Sequence, residues 1–409
     1  METRNDFRLL VTVAGLDQVG VTAALTSAVA DAGAGLVDVE QVVLEEQLTL
    51  CLLVIVDDAR EASLRETLAA VATERSLDVR FRRIDDDRHA ITHEPRRFAV
   101  TAIGDAIGAR ELSALAKGLA TRGANIVSIR RLSDETVTSV ESIVELKDGD
   151  DPIAMRRALV ATVGELGIDV AVQEEKLTRR SKRLVVMDMD STLIQIECID
   201  ELARMHGVVD QVASITSRAM AGELDFEQSL RARVALLRGL SWDRVISLAD
   251  RLPVTEGAPE MLAVLRRLGY RTAVISGGFT FAADRLRREL GLDYAFANEL
   301  EVVEGVLTGH VLAPVVTAER KADLLERIAR QEGIALEQTI AIGDGANDLP
   351  MLERAGLGIA FHAKPKLKAA ADTSVSRGGL DRMLYLLGLH ARDVRELLAT
   401  PGGDARSPS

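Results

Sequence analysis

The sequence predicts an α/β protein in three parts: two ferredoxin-like β-α-β-β-α-β modules, then a Rossmann-like parallel sheet carrying a helical insert. Three observations predict it. The segment order β-α-β-β-α-β occurs twice, over residues 1–88 and 96–174. From residue 183 onward, short unbroken apolar runs alternate with longer helical segments, as parallel strands covered on both faces do. Residues from about 197 to 250 interrupt that rhythm with an almost wholly helical stretch.

In the first module FRLLVTVA (7–14) reads as a strand that stops at GLDQVG, and VTAALTSAVADAG reads as a helix. Strands follow at 36–44 and 48–56, a helix at 60–74 and a strand at 77–84. The second module opens with RFAVTAIG and the helix GARELSALAKGLATRG. The strands ANIVSIRRL and SVESIVELK, the helix IAMRRALVATVGELG and the strand IDVAVQEE complete it. Asp17 and Gly20 correspond to Asp105 and Gly108, so the repeat reads as a duplicated domain rather than a solenoid. DDDRHAITHEPRR (85–97) reads as a linker and EEKLTRRSKR (174–183) as a second charged connector. The tail, 396–409, is expected to be disordered, since TPGGDARSPS has little apolar character.

Composition narrows the function. At 409 residues the chain is too long for one ordinary core. A net charge of −13 argues against a general nucleic-acid binder, which needs a basic face. It leaves anionic small substrates open, because a local field can oppose the overall sign. Only Cys51 and Cys198 occur, which fits a reducing compartment. METRNDFRLL is too charged for a signal peptide and no apolar run approaches membrane-spanning length, so a cytoplasmic location without membrane partners is expected.

The third region, 183–395, carries the chemistry. Its strands are RLVVM, YRTAVI, TIAI and GLGIAF, each followed by a turn rich in Gly, Asp or Ser. Ligands gather at such carboxyl ends of α/β strands. Four polar clusters stand at these ends or on a following helix: DMDST (188–192), ISGGF (275–279), Lys321 in TAERKADLL, and GDGANDLPML (343–352). Singly, each has a bland reading as turn former, helix cap or solvated lysine. In this order on alternating elements, they point to one phosphate and metal site. Asp188 and Asp190 are two residues apart, so an extended backbone puts them on one side. The insert directly after the first strand is placed to act as a lid.

The combination resembles the haloacid dehalogenase-like (HAD) phosphatases, whose HAD-type Rossmann-like sheet with a helical cap is the fold it implies. Within them it is most similar to the phosphoserine phosphatases, through DMDSTLIQIECIDELA, MAGELDFEQSLRARVALLRGL, VISGGF, LDYAFANEL and AIGDGANDLPML. Superfamily members more often have glycine where Ser191 stands. The resemblance implies Asp188 as nucleophile forming an aspartyl-phosphate, and Asp190 as general acid and then base. It implies Mg²⁺ held by Asp188, the backbone carbonyl of Asp190, and Asp344, with Asp348 orienting the metal shell or Lys321. Ser276, the Gly277 N–H and Lys321 would hold the phosphate, with Asn347 a further donor on the phosphate or the substrate side. For the rest of phosphoserine, Glu197 would take the ammonium and Arg233 the carboxylate, with Met220 and Phe226 as apolar walls.

The duplicated modules resemble ACT domains, regulatory units that bind amino acids. GLDQVG is close to their G-x-D-x-x-G loop, and GDAIG at 104–108 keeps an aspartate and a glycine three apart. The resemblance implies free serine as an allosteric ligand at Asp17, Gly20, Asp105 and Gly108, feedback on the last step of serine biosynthesis, and a homodimer. Other small phosphomonoesters, phosphoproteins, and an amino-acid sensor with a vestigial catalytic domain are the competing readings.

Overall fold

The computed structural model describes residues 6–84, 96–134, 136–147 and 150–399. Most of the expected linker, residues 85–95, and the last ten residues of the expected tail lie outside that range. Arg96 and Arg97, read as linker, open a strand. Residues 396–399, read as tail, continue the helix Ala391–Ala399, so the expected disorder does not begin at 396.

The chain divides into two compact units, Met1–Glu94 and Pro95–Ser409. The first is an antiparallel sheet of β1 (Asp6–Leu16), β2 (Gly35–Leu44), β3 (Gln47–Asp57) and β4 (Asp78–Ile84), in the order β2-β3-β1-β4. The helices Val21–Asp31 and Asp58–Glu74 complete the β-α-β-β-α-β order. Alternate residues Leu9, Val11 and Val13 of β1 and Leu48, Leu50, Leu52 and Val54 of β3 are buried with Leu25, Leu64 and Leu68. That period of two is what one covered sheet face demands. The edge strand β2 leaves Leu36, Val39, Val42 and Leu44 exposed.

The second unit begins with the repeated module: β5 (Arg96–Ile103), β6 (Asn125–Arg131), β7 (Ser139–Leu146) and β8 (Asp169–Glu174), ordered β6-β7-β5-β8. Its helices are Ala109–Ala120 and Pro152–Val163. One sheet face covers these helices. From the other face, Ile103 and Ala171 enter the core of the catalytic region. The segment between module and sheet, read as a solvated connector, is structural at one point. Arg179 is buried and bonds Glu141 at 2.9 Å and Glu175 at 2.6 Å.

The catalytic region is a six-stranded parallel sheet of β9 (Leu184–Met187), β10 (Arg271–Phe279), β11 (Tyr294–Asn298), β14 (Thr339–Gly343), β15 (Gly358–Phe361) and β16 (Thr373–Val375). Their order is β11-β10-β9-β14-β15-β16. The central β9 shows why the apolar run is unbroken. Leu184 and Val186 pack into one core, while Val185 and Met187 pack into the other. Each such side chain stabilises by roughly 1.5–3 kcal/mol on full burial. The insert forms four helices, Cys198–His206, Val209–Met220, Phe226–Ala235 and Trp242–Ala249. A hairpin of β12 (Leu300–Val303) and β13 (Val306–Val311) supports them. It bonds the insert through Gly239 N–H to Leu307 C=O and Trp242 N–H to Gly305 C=O, both 2.8 Å.

Candidate active site

The carboxyl ends of β9, β10 and β14 converge on a cavity of about 500 Å³ roofed by the helical insert. Asp188, Asp190, Glu197, Met220, Phe226, Arg233, Ser276, Gly277, Asp344 and Asn347, all singled out from sequence, line it. Lys321 and Asp348 stand behind Asp188 instead, fully buried. The two aspartates of DMDST reach the cavity by a different route from the one expected. The strand ends at Met187 and Asp190 lies beyond it, in an isolated bridge to Ile194, yet both carboxylates face the same space.

Asp188 is gripped on one oxygen. Its Oδ1 accepts from Lys321 Nζ at 2.8 Å and from the Met189 N–H at 2.7 Å. Lys321, on the helix Ala318–Gln331, also donates to Asp348 Oδ1 at 2.7 Å. The second oxygen of Asp348 accepts from the Asp344 N–H at 3.1 Å and the Gly345 N–H at 3.0 Å. Asp348 is thus saturated by donors, and its work is to hold Lys321 and the 344–345 turn. Gly343 makes room for it: a Cβ there would lie 2.4 Å from the Asp348 carboxyl carbon.

The electrostatics follow from burial. Desolvation, then the Asp348 charge, pushes the Asp188 carboxyl well above the ordinary carboxylate range. Desolvation and the nearby Glu197 carry Asp190 up to about 7. The Asp190 Oδ1 atom is buried with no hydrogen-bond partner. Asp344 is raised to about 6 by burial and then Asp348. Burial works against the Lys321 charge, but Asp188 and Asp348 more than reverse it and hold its pKa up.

Four carboxylates around one lysine leave a deficit of positive charge. Carboxyl oxygens of Asp188, Asp344 and Asp348 all lie within 4.8 Å of one another. Hard oxygen donors in this arrangement suit a small divalent cation. Because both Asp348 oxygens are already bonded, Asp188 and Asp344 are the side chains of this trio left to coordinate it. The residues present fit Mg²⁺.

On the β10 side, Ser276 Oγ accepts from the Gly278 N–H at 2.8 Å, and the Gly277 carbonyl is held by Asn298 Nδ2 at 2.8 Å. Side chains cannot replace hydrogen here. A Cβ at Gly278 would come 2.8 Å from Asp190 Oδ2, and one at Gly277 would come 2.9 Å from the Phe226 ring. Opposite, Arg233 faces the cavity; burial lowers its pKa, while Asp200, Glu197 and Asp190 oppose that. Arg231, two residues away, instead pairs with Glu227 at 2.7 Å. Met220 is 75% exposed at the rim.

Sequence reasoning missed Asp200, Thr216 and Lys364, which also line the cavity. Asp200 stands in the first turn of the helix after Glu197, and Lys364 follows β15, where a basic residue past a parallel strand end was the available signal.

The ACT-type loops differ between the copies. In the first unit the Asp17 N–H donates to the Glu46 carbonyl, and Gly20 starts the helix at φ 90° with no side-chain cap. In the second, Asp105 is already engaged. It pairs with Arg377 at 3.0 Å and Arg382 at 3.3 Å, both from the catalytic region. The Gly108 N–H is taken by Glu111 at 2.9 Å. The polar groups of Asp105 and Gly108 thus serve internal contacts, which an amino acid received there would have to displace.

Comparison with known proteins agrees with this architecture. The haloacid dehalogenase-like hydrolase family matches residues 182–356, and ACT domain families match 8–82 and 97–173. Phosphoserine phosphatase SerB2 of Mycobacterium tuberculosis is 45% identical over 97% of this chain and 96% of its own. This chain belongs to the phosphoserine phosphatase family. A Streptomyces coelicolor phosphoserine phosphatase is also 45% identical, over 97% of this chain and 96% of its own. Among solved structures, a HAD family hydrolase from Salmonella enterica serovar Typhi superposes with a TM-score of 0.64 at 30% identity, covering 71% of this chain and 98% of its own. The chain joins a HAD hydrolase domain to two N-terminal ACT domains. Among the described residues no helix is long and apolar enough to cross a membrane.

Proposed function

We propose that this protein hydrolyses O-phospho-L-serine to L-serine and phosphate through an aspartyl-phosphate on Asp188, the last step of serine biosynthesis. The observation that carries the reading is one cavity with Asp188 in its lining, backed by the buried Lys321 and Asp348, and with both Glu197 and Arg233 facing the same space. A free amino acid phosphate has three charged groups, and this cavity offers a counterpart for each.

Asp188 Oδ1 is tied down by Lys321 and the Met189 amide, so Oδ2 is the oxygen free to attack phosphorus. Asp190, lifted toward neutrality, can carry the proton that the departing serine oxygen needs. Its carboxylate then accepts a proton from the water that opens the aspartyl-phosphate. Ser276, the Gly277 N–H and Asn347 offer donors to the phosphoryl oxygens, and Lys321 supplies its positive charge from behind Asp188. Mg²⁺, when held by Asp188, Asp344 and the Asp190 carbonyl, would neutralise phosphoryl charge. Glu197 pairs with the ammonium and Arg233 with the carboxylate, while Met220 and Phe226 close over the ligand and exclude water.

Regulation belongs to the first module, where Asp17 and Gly20 border a helix N-terminus and serine is the favoured ligand. The apolar edge strand β2 supports a homodimer formed through that module, and the setting is cytoplasmic. Phosphate release from L-phosphoserine, with and without Mg²⁺, tests the reading in wild type and Asp188→Asn. Activity that survives in the variant refutes the nucleophile assignment, and a panel in which other phosphomonoesters are preferred refutes the substrate.

A further inference from the structure

Ser191 occupies a position where its backbone is uncomfortable. Its φ is 57°, the left-handed region that a residue with a Cβ enters at a cost. Glycine, the commoner residue at this point of the superfamily motif, would sit there without strain. Something must offset the penalty, and the side chain shows what. Ser191 Oγ donates a hydrogen bond to Glu197 Oε1 at 2.8 Å.

Glu197 needs that restraint. It is an exposed side chain with rotatable bonds at the mouth of the insert, and it stands at the N-cap of the helix Cys198–His206. Its carboxylate makes no cap bond to that helix, so the helix does not orient it. Only its main chain is fixed there, the Glu197 carbonyl accepting from the Asp200 and Glu201 N–H groups at 3.1 and 3.2 Å. The turn that carries Ser191 is fixed at the other end, its N–H donating to the Ile196 carbonyl at 3.3 Å. The hydroxyl therefore bridges the nucleophile turn to the first residue of the lid.

We infer that Ser191 is a positioning residue for substrate selection: its hydroxyl holds Glu197 where it meets the substrate ammonium. The inference rests on the assignment of Glu197 to the ammonium. With one oxygen of Glu197 occupied by the hydroxyl, the other is presented to the cavity in a fixed direction. Recognition then loses less side-chain freedom on binding, which is how preorganisation strengthens a contact. It also links selection to chemistry, because the turn holding Ser191 is the one that carries Asp190.

The test compares phosphoserine with its des-amino analogue, 3-phosphooxypropionate, which keeps the phosphate and carboxylate and lacks only the ammonium. The readout is the ratio of kcat/KM for the two esters in wild type, Ser191→Gly, Ser191→Ala, Glu197→Gln, and Ser191→Gly with Glu197→Gln. Ser191→Gly is expected to lower the ratio about tenfold, chiefly through KM for phosphoserine, the size of one hydrogen bond to a charged group. Its thermal midpoint should hold or rise, since glycine relieves the left-handed strain. Ser191→Ala should lower the ratio similarly, and the double variant should lose no more than Glu197→Gln alone. A ratio unchanged in Ser191→Gly while Glu197→Gln lowers it overturns the role of Ser191 and leaves Glu197 in place. Equal losses on both esters, or additive losses in the double variant, overturn it too. No change in Glu197→Gln removes the ammonium assignment and this inference together, whereas the Asp188→Asn result stands apart from both.

Discussion

Lys321 is the buried cation on which two carboxylates depend, and Lys321→Met removes its charge while keeping most of its length. Asp188 and Asp348 then face each other with carboxyl oxygens within 4.8 Å and no partner between them. At that separation, with an effective dielectric constant of 20, two like charges repel by about 3.5 kcal/mol. This agrees with the loss of about 3–5 kcal/mol seen when one partner of a buried ion pair is removed. A second substitution separates folding from chemistry. Asp348→Asn in the Lys321→Met background cancels one stranded charge, and its amide oxygen can still accept from the Asp344 and Gly345 N–H groups. Chemical unfolding in the presence of a chelator should show the single variant less stable by about 3 kcal/mol and the double variant recovering at least half of that. Phosphate release should stay at least about 10³-fold down in both, because neither restores a cation beside the nucleophile. A single variant within about 1 kcal/mol of wild type, or a double variant less stable than the single, would show that the buried triad is not organised by charge. Turnover within tenfold of wild type would remove Lys321 from the chemistry.

Other parts of the site yield sharper single tests. Arg233→Lys replaces a planar fork by a point charge, so KM for phosphoserine should rise about 10-fold or more with a smaller change in kcat, measured by steady-state kinetics. Gly278→Ala places a methyl 2.8 Å from Asp190 Oδ2 and 2.7 Å from Met189, and should cut turnover far more than it shifts the thermal midpoint. In chelator, the raised carboxyls make the folded state bind protons more tightly than the unfolded one. Stability contributed by Asp344 should therefore be present below pH 4 and be lost as pH rises to about 6, a slope absent in Asp344→Asn. The thermal gain on adding Mg²⁺ should grow over the same interval, and a gain that shrinks as pH rises would contradict the carboxylate assignment.

The parts of this protein legible in its sequence are those written in local pattern. An unbroken run such as LVVM, ending in two aspartates, announces a doubly covered strand and a ligand at its end, because period and position both follow from backbone geometry. The βαββαβ repeat was legible for the same reason. Contacts between residues far apart were not. Nothing near Lys321 says that two carboxylates will enclose it, and nothing near Asp105 says that Arg377 and Arg382 will claim it. The β12–β13 hairpin is weakly legible although VVEGV carries a turn signal, with Glu304 and Gly305 both at positive φ. Strands of four and six residues carry too little alternation to stand out in sequence. Arg231 and Arg233 look alike in SLRARV; their faces differ only once the helix Phe226–Ala235 is packed.

The contacts of the second ACT module bear on where this protein can be divided. Asp169 bonds both the backbone N–H and the hydroxyl of Ser376, at 2.6 and 2.8 Å, and Gln173 reaches the Leu386 carbonyl at 3.0 Å. These bonds cross the boundary that the catalytic motifs alone would place near residue 183. A cut there strips a wall from the enzyme: Ile103 and Ala171 leave its core, and Asp169 and Gln173 abandon their bonds along its last strand and C-terminal turns. In this chain the unit that folds together is thus larger than its chemistry requires, and a dissection that respects the fold starts at Arg96.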